Sequence, residues 1–227
     1  ITNTFGANRF KLAKHGLQDD TVTINKASVD LARRVVSASF RDVLVAGDVG
    51  PLGVRIAPFG RVQPEAAREA FAEQVKALAE AGVDLIVIET FSDLYEIREA
   101  IRAAKETCDL PVVASVTFTR DDRTLLGDSP ASVARSLFES GAEVIGVNCS
   151  GGPAQIYRIL RQMRQAAPQA LLSAITGRVT RGLAEQVTPA PSAARHRREQ
   201  GHHLSAQIHG DVAGDAGGLE PHQVDLR

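Results

Sequence analysis

Short apolar runs alternate with amphipathic segments from residue 25 to residue 175 of this 227-residue chain. The runs are rich in Val and Ile and span residues 43–47, 84–89, 111–117, 143–148 and 170–174. Continuous apolar runs of this length are typical of strands buried on both faces, and the segments between them have helical periodicity. The alternation predicts an α/β fold of βα units, with about six strands in a parallel sheet.

The intervening segments carry signals for the ends of helices. Pro64 and Ser129-Pro130 suit first turns, Ser92 is expected to cap the second helix, and Gly82 and Gly141 suit C-terminal ends. The positions expected to face the sheet are Phe71, Val75 and Leu78, then Leu94, Ile97, Ile101 and Ala104, then Val133, Ala134, Leu137 and Phe138, and finally Tyr157, Leu160 and Met163. Each set falls on one side of a helix.

Two of the predicted strands end in polar residues and belong to a faint internal repeat. Residues 81–89 resemble residues 140–148, and the strands end at Glu89 and at Asn148-Cys149. In a (β/α)8 barrel the carboxyl ends of the strands meet at one mouth, so these side chains would face each other there. A doubly wound open sheet also places its site at carboxyl ends, so both topologies remain open at this point.

Composition excludes several classes of protein. The chain has 26 basic and 27 acidic residues and a net charge of -1, so it lacks the basic patch of a nucleic-acid or membrane-surface protein. It contains no apolar run near the roughly 20 residues that span a bilayer. Its two cysteines, Cys108 and Cys149, are too few for a disulfide scaffold and suit a reducing compartment. We therefore expect a cytoplasmic protein without nucleic-acid or membrane partners.

Each candidate residue has a functional and a structural interpretation. Cys149 precedes a Gly-Gly turn, which suits a metal ligand or nucleophile, although a buried structural cysteine is the simpler interpretation. Glu89 ends an apolar strand and needs a cation or donor if buried, or else is a solvated acid. Residues 2–8 and 46–51 look like ordinary turns, and Thr117 either lines the mouth or lies in a surface loop. No Walker loop, GxGxxG, HExxH or GxSxG motif is present.

Taken together, five segments resemble the homocysteine S-methyltransferase family, which includes the homocysteine domain of methionine synthases. They are TNTFGAN, AGDVGPLG, IETFSDLYE, the TF/RTLLG pair and GVNCSGGP, in this order. The resemblance covers about residues 1–174 and implies a (β/α)8 barrel. It also implies a zinc ion, held by three cysteine thiolates, that deprotonates the homocysteine thiol for attack on a methyl carried by folate, cobalamin, or a sulfonium or betaine donor.

The resemblance also assigns residues to the site. It implies that Cys149 is the first zinc ligand and that Glu89 holds the amino group of homocysteine. Asn148, Asn3 and Thr117 are the further substrate-binding positions that it implies, and no residue receives a catalytic role. The expected partners are homocysteine and a methyl donor, and the expected product is methionine.

The chain departs from the family pattern after residue 174. The paired cysteines of a Gly-Gly-Cys-Cys motif are absent, and Cys108 precedes its strand at the face opposite the mouth. The chain starts at Ile1 and has a single methionine, Met163, so we expect it to begin inside a longer reading frame. We expect residues 1–174 to form a partial barrel without its first and last strands.

Residues 175–227 form an irregular tail in these predictions. This segment has no aromatic residue and no sustained periodicity, so we expect disorder and interpret it as a possible out-of-frame translation. Substitute zinc ligands among its histidines, such as His202, His203 and His209, are the less favoured interpretation. The chain is then an inactive fragment of a methyltransferase. The alternatives are a non-catalytic ligand-binding remnant, or a methyltransferase for another thiol or selenol acceptor.

Overall fold

Five parallel strands form the central sheet, and a helix follows each of the first four. The computed structural model describes residues 1–39 and 41–175, with the pairs 206–207 and 225–226. The strands of the sheet are β1 (Ala46–Val49), β2 (Leu85–Phe91), β3 (Val112–Val116), β4 (Val144–Asn148) and β5 (Leu171–Ile175). The helices are α1 (Arg9–Leu12), α2 (Thr21–Ser39), α3 (Pro64–Glu80), α4 (Leu94–Thr107), α5 (Pro130–Glu139) and α6 (Pro153–Ala166). Short strands β6 (Ala206–Gln207) and β7 (Asp225–Leu226) pair antiparallel.

The strand order decides between the two topologies left open by the sequence. The five strands pair in the order β1-β2-β3-β4-β5, each parallel to the next, without the reversal of order that defines a doubly wound sheet. Right-handed crossovers that always advance in one direction place the helices on one face of the sheet. A Cβ atom at Gly47 would accordingly contact Leu78 of α3 and Ile86. The α/β barrel-type fold predicted from the sequence is confirmed.

An acidic side chain fixes the amino-terminal end of β1. Asp84 precedes β2, and its Oδ2 accepts a hydrogen bond of 2.6 Å from the Val45 amide, while its own amide donates to the Val45 carbonyl. Arg33 of α2 forms an ion pair of 2.8 Å with the same carboxylate. The carboxylate therefore ties together the start of the strand pair and the helix that covers it.

The same arrangement recurs two βα units further along the chain, between β3 and β4. Glu143 precedes β4, and its Oε2 accepts a bond of 2.7 Å from the Val112 amide, while its amide donates to the Val112 carbonyl. Lys105 of α4 pairs with the carboxylate at 2.5 Å. The faint sequence repeat thus has a structural basis, in which an acid before one strand clamps the start of its neighbour.

The outer edge of β1 is covered by the first residues of the chain. The Thr2 amide donates to the Ala46 carbonyl at 2.8 Å, and Thr2 Oγ1 accepts from the Asp48 amide at 2.9 Å. Thr4 Oγ1 donates to the Asp48 carbonyl at 2.7 Å. Threonine hydroxyls therefore take the place of part of a backbone ladder along this edge, which satisfies polar groups that the edge would otherwise expose.

Three local predictions are corrected by the structure. The first strand spans Ala46–Val49 and not residues 43–47, because the Val45 amide is bonded to Asp84 and the ladder with β2 begins after it. Residues 46–49 are consequently strand rather than turn. Within residues 1–39 and 41–175 the sheet has five strands, where the sequence predicted about six for the chain.

Two helix predictions also change. Asp93, not Ser92, caps α4, since its Oδ1 accepts from the Tyr95 amide at 2.8 Å. Ser129 caps α5 as predicted. In α6 the buried face consists of Gln155, Ile156, Ile159 and Met163, with Tyr157 only partly buried, so the predicted phase was displaced by about one residue.

The predictions for residues 176–227 lie outside the described residues, apart from the backbone of β6 and β7. Among the helices that are described, none is both long enough and apolar enough to cross a bilayer.

The sheet face opposite the helices carries small and polar side chains in its middle layer. Gly146 of β4 is aligned with Ser115 of β3 and Ser173 of β5. A Cβ atom at Gly146 would lie 2.5 Å from both the carbonyl oxygen and Oγ of Ser173 and 3.0 Å from Ser115 Oγ. Glycine is required here because backbone and side chains approach too closely for any larger residue.

Gly146→Ala should therefore lower the free energy of unfolding by about 1–3 kcal/mol, the usual cost of overpacking. Gly6→Ala is the matched control, because a Cβ atom there meets only Lys11 Cδ at an ordinary 3.7 Å. Urea denaturation of both variants measures the difference. Equal stability of the two variants would show that the close approach at Gly146 relaxes without cost.

Candidate functional site

The side-chain amide of Asn148 joins the carboxyl ends of β2 and β4. The register between β2 and β3 shifts between Ile88 and Phe91, and Thr90 within this bulge has a φ of 62°. Asn148 Oδ1 accepts from the Thr90 amide at 3.0 Å, and Nδ2 donates to Thr90 Oγ1 at 2.7 Å. A β-branched residue in the left-handed region is strained, so these bonds stabilise a bulge that the ladder leaves unpaired.

The same amide orients the carboxylate of Glu89. Asn148 Nδ2 lies 3.2 Å from Glu89 Oε2, and Asn148 itself is 1% exposed. The predicted donor for Glu89 is therefore the side-chain amide at the end of β4. Because Asn148 is buried and Glu89 is half-buried, the carboxylate is held in place while part of it faces the mouth.

Cys149 follows directly and is exposed, which corrects the interpretation of a buried structural cysteine. Its backbone has a φ of 48°. Its Sγ lies 3.6 Å from both Thr90 Oγ1 and Asn148 Nδ2. The thiol and the carboxylate of Glu89 thus contact the same amide nitrogen.

Neighbouring loops fix the backbone around Cys149. Thr117 Oγ1 donates to the Cys149 carbonyl at 3.0 Å, and Ser150 Oγ accepts from the Phe118 amide at 2.8 Å. Gln155 of α6 accepts from the Gly151 amide and donates to the Thr119 carbonyl. These contacts tie the loop after β4 to the loop after β3, so the left-handed turn at Cys149 is imposed by its surroundings.

A second carboxylate, that of Asp48 in β1, shares the inner face with Glu89. Burial and, after it, the charge of Glu89 together raise the pKa of Asp48 to about 7. Burial also raises the pKa of Glu89. The mouth therefore contains two acids that burial and proximity both disfavour in their charged forms.

A third buried acid lies away from this inner face. Glu96 of α4 accepts from the Leu52 amide at 2.7 Å, and burial raises its pKa to about 7. Its oxygen holds the loop after β1, so Glu96 has a structural partner that Asp48 lacks.

The structure brings together four of the five predicted site residues. Glu89, Asn148, Cys149 and Thr117 lie around the carboxyl ends of β2, β3 and β4. Asn3 lies beside β1 with an exposed side chain that forms no hydrogen bond within the described residues, and its role in binding stays a prediction.

Sequence reasoning missed Asp48 as a site residue. The run Ala46-Gly47-Asp48-Val49 was interpreted as a turn because of its glycine. The signal that identified Glu89, a lone acid at the end of an apolar run, also applied to Asp48 after Val43, Leu44 and Val45.

Metal-binding groups in the described part of the chain do not form a cluster. No set of three His, Cys, Asp or Glu side chains there could hold an ion together. Cys108 follows α4, where its Sγ contacts the Ala104 carbonyl at 3.6 Å. It therefore precedes β3, at the end opposite the mouth, as the sequence predicted.

Asn148→Ala should destabilise the protein by about 1–3 kcal/mol, since it leaves the amide of Thr90 unpaired inside the bulge. Asn3→Ala is the control, because that exposed amide forms no bond in the described residues and its removal should change stability by less than about 0.5 kcal/mol. Urea denaturation measures both. An Asn148→Ala variant as stable as the control would mean that the bulge does not depend on the amide.

Comparison with curated proteins finds methyltransferases. The chain is 28% identical over 174 residues to the methionine synthase of Mycobacterium tuberculosis, covering 73% of this chain and 14% of that protein. It is 31% identical over 175 residues to betaine–homocysteine S-methyltransferase 1 of Danio rerio, covering 76% of this chain and 42% of that protein. The chain therefore spans less than half the length of either relative.

The solved structures agree in fold. The homocysteine methyltransferase MmuM from Escherichia coli, in its oxidised form, superimposes with a TM-score of 0.60 at 23% identity, covering 79% of this chain and 75% of that one. The metallated form of MmuM gives the same TM-score and coverage at 22% identity. The family model described as homocysteine S-methyltransferase matches residues 1–210, which is most of the sequence. The chain belongs to the homocysteine S-methyltransferase family.

Proposed function

We propose that this chain is the homocysteine-binding part of a methyltransferase that transfers a methyl group to the thiol of homocysteine and gives methionine. The observation that supports this most directly is the group of Glu89, Asn148 and Cys149 at one mouth. Homocysteine carries an ammonium group at one end and a thiol at the other. A fixed carboxylate beside an exposed cysteine offers one partner for each end.

Glu89 is assigned to the ammonium group of the substrate. A half-buried carboxylate is costly unless it meets a cation, and its bond to Asn148 directs it without neutralising it. The ammonium group supplies that cation. Asn148 acts as a positioning residue, since it holds Glu89 and also the bulge at Thr90.

Cys149 is assigned as one ligand of a zinc ion. When bound, zinc would lower the pKa of the substrate thiol and make it nucleophilic at neutral pH. Zinc sites use three or four protein ligands, and the described residues supply one thiolate. These residues alone do not fit the ion, so the proposal assigns Cys149 and no catalytic step that passes through the metal.

The methyl donor and the compartment complete the proposal. Relatives are named for betaine or S-methylmethionine as donors. Two free cysteines suit a reducing compartment, which supports the cytoplasm as the location.

Glu89→Gln should weaken the binding of homocysteine by about 10- to 100-fold, because the amide keeps the bond with Asn148 but cannot balance an ammonium charge. The binding of 4-mercaptobutyrate, which is homocysteine without the amino group, should be unchanged. Titration calorimetry measures both ligands. Glu96→Gln is the matched control, since it neutralises a buried acid of α4 that lies away from the inner face of the sheet.

Two results would contradict the assignment of Glu89. One is a wild-type chain that binds homocysteine no better than 4-mercaptobutyrate. The other is a Glu89→Gln variant that retains the full preference for homocysteine.

Zinc is expected to be lost from this chain on dialysis against a weak chelator, because a single thiolate gives little affinity. Metal analysis of the wild type, Cys149→Ser and Cys108→Ser measures it, and Cys108 serves as the control thiol. Close to one equivalent of zinc that disappears only in Cys149→Ser would overturn this expectation. It would also direct the search for further ligands to residues 176–227.

A further inference from the structure

The carboxylate of Asp48 is buried without a hydrogen-bond partner in the part of the chain that the structure describes. Asp48 is 6% exposed, and its Oδ1 is bonded to none of these residues. Buried polar atoms in native proteins nearly always have one, so an orphaned carboxylate oxygen requires an explanation.

The polar groups around Asp48 bond to its backbone or to each other, and not to its carboxylate. Thr2 Oγ1 accepts from the Asp48 amide, and Thr4 Oγ1 donates to the Asp48 carbonyl. Gln74 Nε2 donates to the Thr4 carbonyl at 2.8 Å and lies only at 3.5 Å from the Asp48 carbonyl. A carboxylate with a purely structural role would be expected to accept a hydrogen bond from one of these donors. The Asp48 carboxylate accepts none from them, so it can bind a ligand.

The direction of the side chain follows from strand alternation. A Cβ atom at Gly47 points to Leu78 of α3, so Asp48 points to the opposite, inner face. On β2, Ile86 also meets a Cβ atom at Gly47, so Ile86 faces the helices. Glu89 is three residues further along the strand and therefore points to the opposite, inner face, as Asp48 does. Asp48 is aligned with Val87 of β2, so Glu89, two residues further along, is its diagonal neighbour on the same face, and the charge of Glu89 raises the pKa of Asp48.

Cations among the described residues do not neutralise this pair. Lys11 lowers the pKa of Asp48 less than Glu89 raises it. Lys11 Nζ lies over the Phe5 ring, 4.4 Å from its centroid. Neither Asp48 nor Glu89 takes part in an ion pair among the described residues.

We propose that Asp48 is a second carboxylate of the amino-acid site, so that Asp48 and Glu89 together receive the ammonium group of the thiol substrate. An ammonium group has three N–H donors and can bond both carboxylates at once. Its charge would relieve their mutual repulsion and supply the partner that Asp48 lacks. The pair would make the site selective for a free, charged amine. This inference rests on the proposed function, because it takes the substrate to be an amino acid.

The test compares homocysteine with 4-mercaptobutyrate in four proteins by titration calorimetry at one pH. The proteins are the wild-type chain, Asp48→Asn, Glu89→Gln and the double variant. Asp48→Asn should bind homocysteine about 10-fold more weakly or worse and bind 4-mercaptobutyrate as well as the wild type does or better. The double variant should lose the remaining preference, whereas the control Glu96→Gln should keep all of it.

A wild-type preference that persists undiminished in Asp48→Asn overturns the inference and leaves the proposed function intact. A wild-type chain without any preference overturns the proposed function itself. If Asp48→Asn fails to fold, Asp48→Ser replaces it in the calorimetry. A spectroscopic measurement on the native protein gives a second test that needs no variant. The carboxyl carbon resonance of Asp48 in the wild type should shift with homocysteine and not with 4-mercaptobutyrate. An identical response to both ligands would equally overturn the inference.

Discussion

One buried amide, that of Asn148, is the contact on which the geometry of the mouth depends. Its oxygen holds the amide of Thr90 in the β2 bulge, and its nitrogen contacts Thr90, Glu89 and Cys149. Strands β2 and β4 are not neighbours, since β3 lies between them. The amide therefore spans the end of β3 and converts two separate strand ends into one site. The positive φ of Thr90 persists because this amide holds the bulge, and that of Cys149 persists because the loop after β3 holds its backbone.

The carboxylates at the mouth add an electrostatic constraint to this geometry. Asp48 and Glu89 both have raised pKa values, since burial disfavours their charged forms. Acids with strongly perturbed pKa values are concentrated at functional sites. The apolar layer between the strands and the helices contains Ile86, Ile88 and Phe91.

Much of this arrangement could be predicted from the sequence, because strand ends are marked by polar residues after apolar runs. Glu89 and Cys149 were located in this way. Asp48 was missed because a four-residue strand containing glycine looks like a turn until its neighbour β2 is present to pair with it. The cap of α4 depends on the single hydrogen bond of Asp93, and the buried face of α6 includes Gln155, which bonds the Gly151 amide and the Thr119 carbonyl; apolar periodicity encodes neither.

The acidic clamps at the other end of the sheet have a consequence for divergence. Asp84 and Glu143 fix the strand starts through bonds to Val45 and Val112, far along each strand from Glu89 and Asn148. Register is therefore specified at one rim of the sheet, independently of the other. Substitutions at the mouth can accumulate without shifting the strands, so new substrate preferences can evolve on this scaffold while its architecture is inherited unchanged.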